Sequence, residues 1–207
     1  PTHTHPSSCI MHWRTLSREQ LTQVEQRCRP GAAPDHVCSA GMLAPTESLR
    51  EVLERDEQTL ERLNITRFQI ATVLDLAVES AKTDVGCIRS GAFQIEDRRY
   101  SVVLRSYMGY QESPFGGHLP NSQHCVTVTA ESDNKQYSFG GGLAHMIRHN
   151  GFFEGNVPAG AAYKHTKIKT FRVDPEECVQ FFGIQPETNY AAQLATAKIG
   201  EVPSPNP

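Results

Sequence analysis

The feature that most constrains the fold of this chain is a change in hydrophobic periodicity after Ala81. Before it, apolar residues recur every three or four positions, which is the spacing of one helix face. After it, apolar and polar residues alternate, as they do in half-buried strands. The switch predicts an α+β fold: an N-terminal helical segment, including a helical hairpin, packed on a mainly antiparallel β-sheet with short helices.

The helical segment begins with a capping signal. Ser17 is followed three residues later by Gln20, the pattern of a capping box, and Pro30-Gly31 stops the helix that follows.

Two longer helices come next, and we expect them to pack as a hairpin. Thr46 is predicted to cap the first, because an apolar stripe follows it. Thr66 and Gln69 form a second capping box and open the next helix. This third helix is apolar over much of its surface, so it is predicted to be the central buried one. The apolar stripe of the second helix consists of Leu49, Val52, Leu53, Leu60 and Leu63.

The second half of the chain is predicted to be rich in strands. A first hairpin covers residues 93–104, and a long loop, 106–123, separates it from a second hairpin. The remaining predicted elements are a helix from Leu143 to Asn150 ended by Gly151, a strand from Lys167 to Val173, a helix capped by Asp174 with Pro175 at its first position, and a last helix from Asn189 to Lys198.

A chain of 207 residues suits one domain. We place that domain at 17–200, with a helical half at 17–82 and a sheet-rich half at 87–184. Residues 1–16 and 201–207 are rich in proline and polar residues and are predicted to be flexible tails.

Composition excludes several function classes. Hydrophobic residues make up 38% and charged residues 21%, which is typical of a soluble globular protein. The net charge of -3 argues against nucleic acid or membrane surfaces as partners. No apolar run approaches the roughly 20 residues that a membrane-spanning helix needs, and no secretory signal pattern is visible. The sequence does not indicate the cellular compartment.

The first candidate site is a thiol nucleophile. Such a cysteine must ionise readily and needs a base within hydrogen-bond reach, usually a histidine from elsewhere in the fold. Cys87 lies in an irregular junction, beside the flexible Gly86 and the cationic Arg89. His124 begins the strand HCVTVT and is the first choice of base, with His118 of GGHLPNS as the alternative. The alternative is that Cys87 is a buried, unreactive cysteine.

A histidine that starts a strand followed by a hairpin resembles the base position of papain-like and transglutaminase-like enzymes. Those families carry an acid or amide on the returning strand, where this chain has Phe139-Gly140, and their cysteine opens a helix, whereas Cys87 follows one. A cysteine near strands followed by histidine and Leu-Pro is similar to CheD-type glutamine deamidases. That resemblance pairs Cys87 with His118.

The second candidate is a metal site. His145 and His149 stand four apart in a predicted helix, so both rings can reach one ion. A zinc-hydrolase helix carries glutamate after the first histidine, but Met146 stands there. The alternative is ordinary use of histidine near a helix C-terminus. A third ligand would come from outside this helix, and His124, Cys125 and His165 are candidates.

The third candidate is an anion pocket. Gly140, Gly141 and Gly142 run directly into a helix N-terminus, where exposed N–H groups and the helix dipole favour an anion. The alternative is a tight corner between strand and helix. The cations that could add charge are Lys164, Lys167, Lys169, Arg98 and Arg99.

Aromatic residues of the long loop and of the segment after the predicted helix could form an exposed rim, or they could anchor the loop on the core. These residues are Tyr107, Tyr110, Phe115, Phe152 and Phe153.

Taken together, these patterns favour a small soluble enzyme. We expect a cysteine-dependent hydrolase, deamidase or acyl transferase that acts on a protein or amide substrate, with Cys87 as nucleophile and no cofactor. The glycine corner would bind an oxyanion or a substrate carboxylate. The alternatives are a non-catalytic protein-interaction module and a protein with a histidine-based zinc site.

Overall fold

The structure is a computed structural model that describes residues 12–29, 41–82, 85–108, 111–156 and 172–199. These residues contain six α-helices and a four-stranded antiparallel sheet, which confirms the predicted α+β class. In chain order the elements are α1 (Arg18–Cys28), α2 (Leu49–Leu63), α3 (Arg67–Ser80), β1 (Ile88–Ile95), β2 (Arg98–Ser106), β3 (His124–Ala130), β4 (Gln136–Gly140), α4 (Leu143–Asn150), α5 (Pro175–Phe182) and α6 (Ala191–Ile199).

Both predicted capping boxes are present. The N–H of Gln20 donates to Ser17 Oγ at 3.2 Å, and the N–H of Ser17 donates to Gln20 Oε1 at 2.8 Å. Thr66 and Gln69 make the same reciprocal pair at the start of α3. These contacts are confined to one helical turn, so the sequence alone is enough to predict them.

The predicted cap of α2 is wrong. Ser48, not Thr46, occupies the N-cap position, and it makes no capping bond with its side chain. The carboxylate of Glu25, from α1, accepts the N–H of Leu49 at 2.8 Å instead. An N–H at the start of α2 is therefore satisfied by a different helix, which places α1 across this end of α2.

The four strands follow one another in space as they do in sequence, in the order β1-β2-β3-β4. Directly paired residues of antiparallel strands point to the same face. In the middle of the sheet, Leu104 pairs with Val126 and Val126 with Phe139, and all three are buried. This series defines the core face of the sheet, on which the helices pack.

Helix α3 lies at the centre of the fold, as predicted. Seven of its residues are buried, and it contacts α4, α6 and β1. Helix α2 packs mainly on α5 and α1. The end of α3 approaches β1 very closely. The distance is so short that a side chain added at Gly91 would collide with the carbonyl of Ser80. This close approach holds α3 against the strand that follows Cys87.

A buried ion-pair network ties the segment before α5 to α2. The guanidinium of Arg172 contacts Asp56 twice, at 2.7 and 3.0 Å, and Asp174 at 3.2 Å. It also donates to the backbone carbonyl of Glu154. Burial raises the pKa of the Glu154 carboxyl to about 8, although nearby Arg172 opposes the rise.

Other predicted features of the second half have mixed outcomes. Gly151 ends α4 with a positive φ of 73°, and Asp174 caps α5 through the N–H groups of its first turn, both as predicted. Most of the strand predicted at 167–173 lies outside the described residues, and its last two, Arg172 and Val173, are not in a strand. The predicted tail at 201–207 and residues 1–11 of the one at 1–16 lie outside them too. For residues 13–15 the tail prediction is wrong, because they form a 3-10 helix in which Trp13 is buried against the core.

Within the described ranges, no helix is long and apolar enough to cross a membrane.

Candidate thiol and imidazole site at the sheet end

Four residues form a row across the end of the sheet where β1 begins. The N–H of Ser106 donates to the carbonyl of Cys87 at 2.7 Å, so the β1–β2 pairing extends one residue beyond β1. Ser106 pairs with His124, whose carbonyl accepts the N–H of Gly141 at 2.8 Å. Since paired residues share a face, the register places Cys87, Ser106 and His124 on the core face.

Within this row, Ser106 and His124 are hydrogen-bonded. Ser106 Oγ lies 3.0 Å from His124 Nδ1, and the His124 side chain is buried while that of Ser106 is half-buried. With Nδ1 engaged by the hydroxyl, the ring is held in one orientation and Nε2 is its other polar atom. The pair therefore has the geometry of a base and the group that orients it.

The surroundings of His124 keep its imidazole neutral. Burial is the largest cause that lowers its pKa, and the positive charges of Arg89 and Lys82 lower it further. An imidazole with a depressed pKa is unprotonated near neutral pH and can accept a proton. Arg89 also reaches back to the thiol segment, since its Nε donates to the carbonyl of Gly86 at 2.9 Å.

Cys87 differs from the other described cysteines in its accessibility. Cys28, Cys125 and Cys178 are buried, and burial raises the pKa of each of their thiols. Cys87 is exposed and follows Gly86, whose φ of 117° is a conformation that glycine adopts readily. Of the described cysteines, it is the one that a reagent or substrate can reach.

Cys87 and His124 are separated by one intervening strand. Neighbouring strands lie about 4.8 Å apart, so the two backbones are on the order of 10 Å apart. The residue between them is the small Ser106, and both side chains extend from the same face. A reacting carbonyl group with its leaving atom can span such a gap, with the thiol on one side and the imidazole on the other.

The alternative base, His118, lies away from this row. It is exposed, forms an isolated bridge with Glu112, and is close enough to His145 to lower the pKa of that residue. The structure thus brings His124 into line with Cys87 and places His118 on the side of α4.

The glycine corner is covered by the loop that precedes β3. A side chain added at Gly141 would come within 2.5 Å of the Asn121 carbonyl oxygen, and one at Gly142 within 2.6 Å of Leu119. Both glycines are buried. These contacts favour the tight-corner interpretation, because the loop occupies the space beside Gly141 and Gly142.

The cations proposed for the anion pocket are not brought to the corner. Arg98 begins β2 at the far end of the sheet and donates to the carbonyl of Gln180 at 3.0 Å. Arg99 is its neighbour and is exposed. The three lysines at 164, 167 and 169 lie outside the described residues. Anion binding by Gly140 to Gly142 stays a prediction.

His145 and His149 are adjacent, as their spacing predicts, with ring centroids 4.3 Å apart. Burial lowers the pKa of both, and each also lies near the positive Arg148. Among the described residues, no group of three or more His, Cys, Asp or Glu side chains could hold a metal ion. Cys125 is on the opposite sheet face from His124, and His165 lies outside those residues. Zinc binding stays a prediction.

The predicted aromatic rim is wrong for two of its members. Phe152 and Phe153 are buried, and Phe115 packs edge-on against Phe152 with centroids 5.7 Å apart. These contacts anchor the long loop on the core, as the alternative expected. Tyr107 is exposed, and Tyr110 lies outside the described residues.

Sequence reasoning missed Ser106. A signal was present, because Ser106 continues the inward-facing alternation of Tyr100, Val102 and Leu104. A hydroxyl at the end of a buried apolar series must find a hydrogen-bond partner. The sequence alone does not identify that partner, since the pairing of β2 with β3 decides it.

Comparisons of the chain with protein-family models, with curated proteins and with solved structures found no match.

Proposed function

We propose that the protein is a thiol-dependent enzyme that processes an amide or acyl group, as a hydrolase, deamidase or acyl transferase. Cys87 is the nucleophile, His124 the general base, and Ser106 the residue that orients the imidazole. The observation that carries the proposal is the 3.0 Å Ser106–His124 contact in the same row as the exposed Cys87.

The first step is proton transfer from the Cys87 thiol to the neutral His124, relayed by one water molecule in the gap between the two side chains. The depressed pKa of His124 keeps the imidazole available to accept that proton. Arg89, bonded to the carbonyl of Gly86, supports the resulting thiolate by its positive charge. Ser106 restricts the rotation of the imidazole, which lowers the entropic cost of reaching a productive geometry.

The thiolate then attacks the substrate carbonyl, and a carbon–sulfur bond forms. The imidazolium returns its proton to the leaving nitrogen, and the carbon–nitrogen bond breaks to give a thioester. Water or an acceptor amine, deprotonated by the same histidine, attacks the thioester and restores the thiol. Water as acceptor gives a hydrolase or deamidase, and an amine gives a transferase.

The second candidate is a non-catalytic protein-interaction module. It is favoured by the exposed side chains of Val85, Ile88, Tyr107 and Met108, which lie at the same end of the sheet. In that case Cys87 would react as an ordinary exposed thiol, independent of His124.

The rate of Cys87 alkylation by iodoacetamide distinguishes the two. The labelled peptide is quantified by mass spectrometry between pH 6 and 9, in the wild type and in His124→Gln and Ser106→Ala. We expect labelling at pH 6.5 to fall at least about tenfold in His124→Gln, because the base that ionises the thiol is removed. The same comparison in His149→Gln is the matched control, with a rate close to wild type.

Equal rates in the wild type and in a folded His124→Gln variant would support the interaction module. Circular dichroism establishes that each variant is folded. Should His124→Gln fail to fold, Ser106→Ala gives the same test, since its imidazole is present but no longer oriented.

A further inference from the structure

Four of the five large apolar side chains that are exposed in the described residues lie near the end of the sheet that carries Cys87. Each lies within two positions of Cys87 or Ser106, and these two residues are joined by a backbone hydrogen bond. The four therefore cluster at the same end of β1 and β2, in a region that we call the apolar patch. Ile88 points to the opposite face of the sheet from Cys87, since the side chains of successive strand residues alternate. It consists of Val85 (87% exposed), Ile88 (63%), Tyr107 (45%) and Met108 (104%).

This concentration is unusual for a protein surface. Single exposed apolar residues are ordinary, whereas a contiguous group marks a site that another molecule covers. The fifth exposed residue, Phe68, lies on α3, where the guanidinium of Arg67 stacks over its ring at 4.5 Å. The exposed apolar surface is thus gathered where the proposed nucleophile lies.

The charges beside the apolar patch are positive. Arg105 is the direct partner of Ile88 across β1 and β2, so their side chains share one face. Arg89 lies next along β1, on the face that carries Cys87, and reaches the carbonyl of Gly86. In the part of the chain that the structure describes, neither arginine forms an ion pair. A carboxylate on a bound molecule would complement them.

The backbone at this place favours an extended ligand. Strand β1 is at one end of the strand order, so its outer side pairs with no other described strand. The N–H of Ser106 donates to the carbonyl of Cys87, so the backbone of Cys87 faces β2. Because successive residues of a strand alternate, the N–H and C=O of the next residue, Ile88, point away from β2. A peptide that adds a strand there would hydrogen-bond to Ile88, one residue from the thiol.

We propose that the apolar patch binds an extended segment of a protein substrate that carries an apolar side chain next to a carboxylate. Because the side chains of an extended segment alternate, the segment contacts Ile88 and Arg105 on one face of the sheet and presents its amide or acyl group to Cys87 on the other. This inference rests on the proposed function, which it deepens by naming the substrate class: acidic, apolar peptide segments rather than small amides.

Electrophilic dipeptides test it. Chloroacetyl-Leu-Glu-amide, chloroacetyl-Leu-Lys-amide and chloroacetyl-Gly-Lys-amide alkylate a thiolate with loss of chloride, so the second-order rate at Cys87 reports recognition. We expect the Leu-Glu probe to react at least about tenfold faster than the Gly-Lys probe, the factor that burial of one apolar side chain supplies. The Leu-Lys probe should fall between them.

Variants identify which side chains produce the difference in rate between the probes. Ile88→Ser combined with Met108→Ser should reduce the Leu-Glu over Gly-Lys ratio to about threefold or less, since the apolar contact is lost. Phe68→Ser removes an exposed apolar side chain elsewhere and should keep the ratio. Arg105→Gln should reduce the Leu-Glu over Leu-Lys ratio, whereas Arg18→Gln, an exposed arginine on α1, should keep it.

Equal rates for the three probes in the wild type would overturn the inference. So would a concentration-dependent dimer in sedimentation that the Ile88→Ser/Met108→Ser variant abolishes, because a second copy of the chain would then occupy the patch. The proposed function is judged separately by iodoacetamide. If the probes react at different rates but the iodoacetamide rate does not depend on His124, the peptide-binding surface is supported and the enzyme is rejected.

Discussion

Ser106 and His124 form a polar pair at the end of an apolar sheet face. Their side chains meet at 3.0 Å between Oγ and Nδ1, and the next row of the same face consists of Leu104 and Val126, both fully buried. A buried polar atom without a partner is costly, so each residue of the pair satisfies the other. The hydrogen bond therefore stabilises the fold as well as orienting the imidazole.

Ser106→Ala should destabilise the protein by about 1 to 3 kcal/mol, because Nδ1 of His124 loses its partner. The free energy of unfolding in urea measures the effect. Ser101→Ala, an exposed serine on the opposite face of the same strand, is the matched control and should stay within about 0.5 kcal/mol of wild type. Equal losses for the two variants would contradict a structural role for the contact.

Arg89→Gln should raise the pKa of His124 towards its ordinary value. Burial is the larger cause of the depressed pKa and persists in the variant, so the recovery should be partial. The ring C–H resonances of His124, followed by NMR from pH 4 to 8, measure the change. The same titration in Arg18→Gln, far along the chain on α1, should match wild type, and an unchanged His124 curve in Arg89→Gln would be the contrary result.

Gly141→Ala should cost about 1 to 3 kcal/mol, because its new methyl group meets the backbone carbonyl of Asn121. Gly142→Ala meets the side chain of Leu119, which can be made smaller. Adding Leu119→Ala should therefore relieve the clash of Gly142→Ala but not that of Gly141→Ala. A double-mutant cycle from urea unfolding gives the two coupling energies, and indistinguishable couplings would show that the clashes do not have these separate origins.

Glu154 should make the protein less stable as the pH rises. Its pKa is raised from 4.5 to about 8 in the folded state, so between these values the folded chain holds a proton that the unfolded chain has released. Stability therefore falls with rising pH across this window and levels off above it. Since one pKa unit corresponds to about 1.4 kcal/mol, the effect is on the order of a few kcal/mol.

Glu154→Gln should remove this fall, because an amide does not titrate. The measurement is the free energy of unfolding at pH 5 and at pH 8.5 in the wild type and the variant. Glu51→Gln, on the exposed face of α2, is the matched control and should keep the wild-type difference between the two pH values. Parallel behaviour of Glu154→Gln and the wild type would contradict the raised pKa.

Local signals account for what the sequence predicted well. The capping boxes at Ser17 and Thr66 and the glycine that ends α4 each depend on residues within one or two turns. The start of α2 was predicted wrongly because its N–H partner, Glu25, comes from another helix. A contact between elements distant in sequence leaves no local pattern.

In the candidate site, too, local features were predicted from the sequence and contacts between distant elements were not. His124 was identified from its position at the start of a strand, and Cys87 from the junction before one. The partnership of His124 with Ser106 depends on the register of β2 against β3, and one residue of slip would move Ser106 to the other face. The exposure of Met108 and Val85 likewise follows from where the chain leaves the sheet, and not from their apolar character.

The strand order has a consequence for how the protein acquires its native structure. Each strand pairs with the next one along the chain, so no pairing skips a strand, and the connection of 17 residues between β2 and β3 is the longest that must close. Cys87, Ser106 and His124 lie on the first three strand segments, and the backbone hydrogen bonds that align them are made within these segments. We therefore expect this row to assemble early in folding, before α5 and α6 dock on the finished meander.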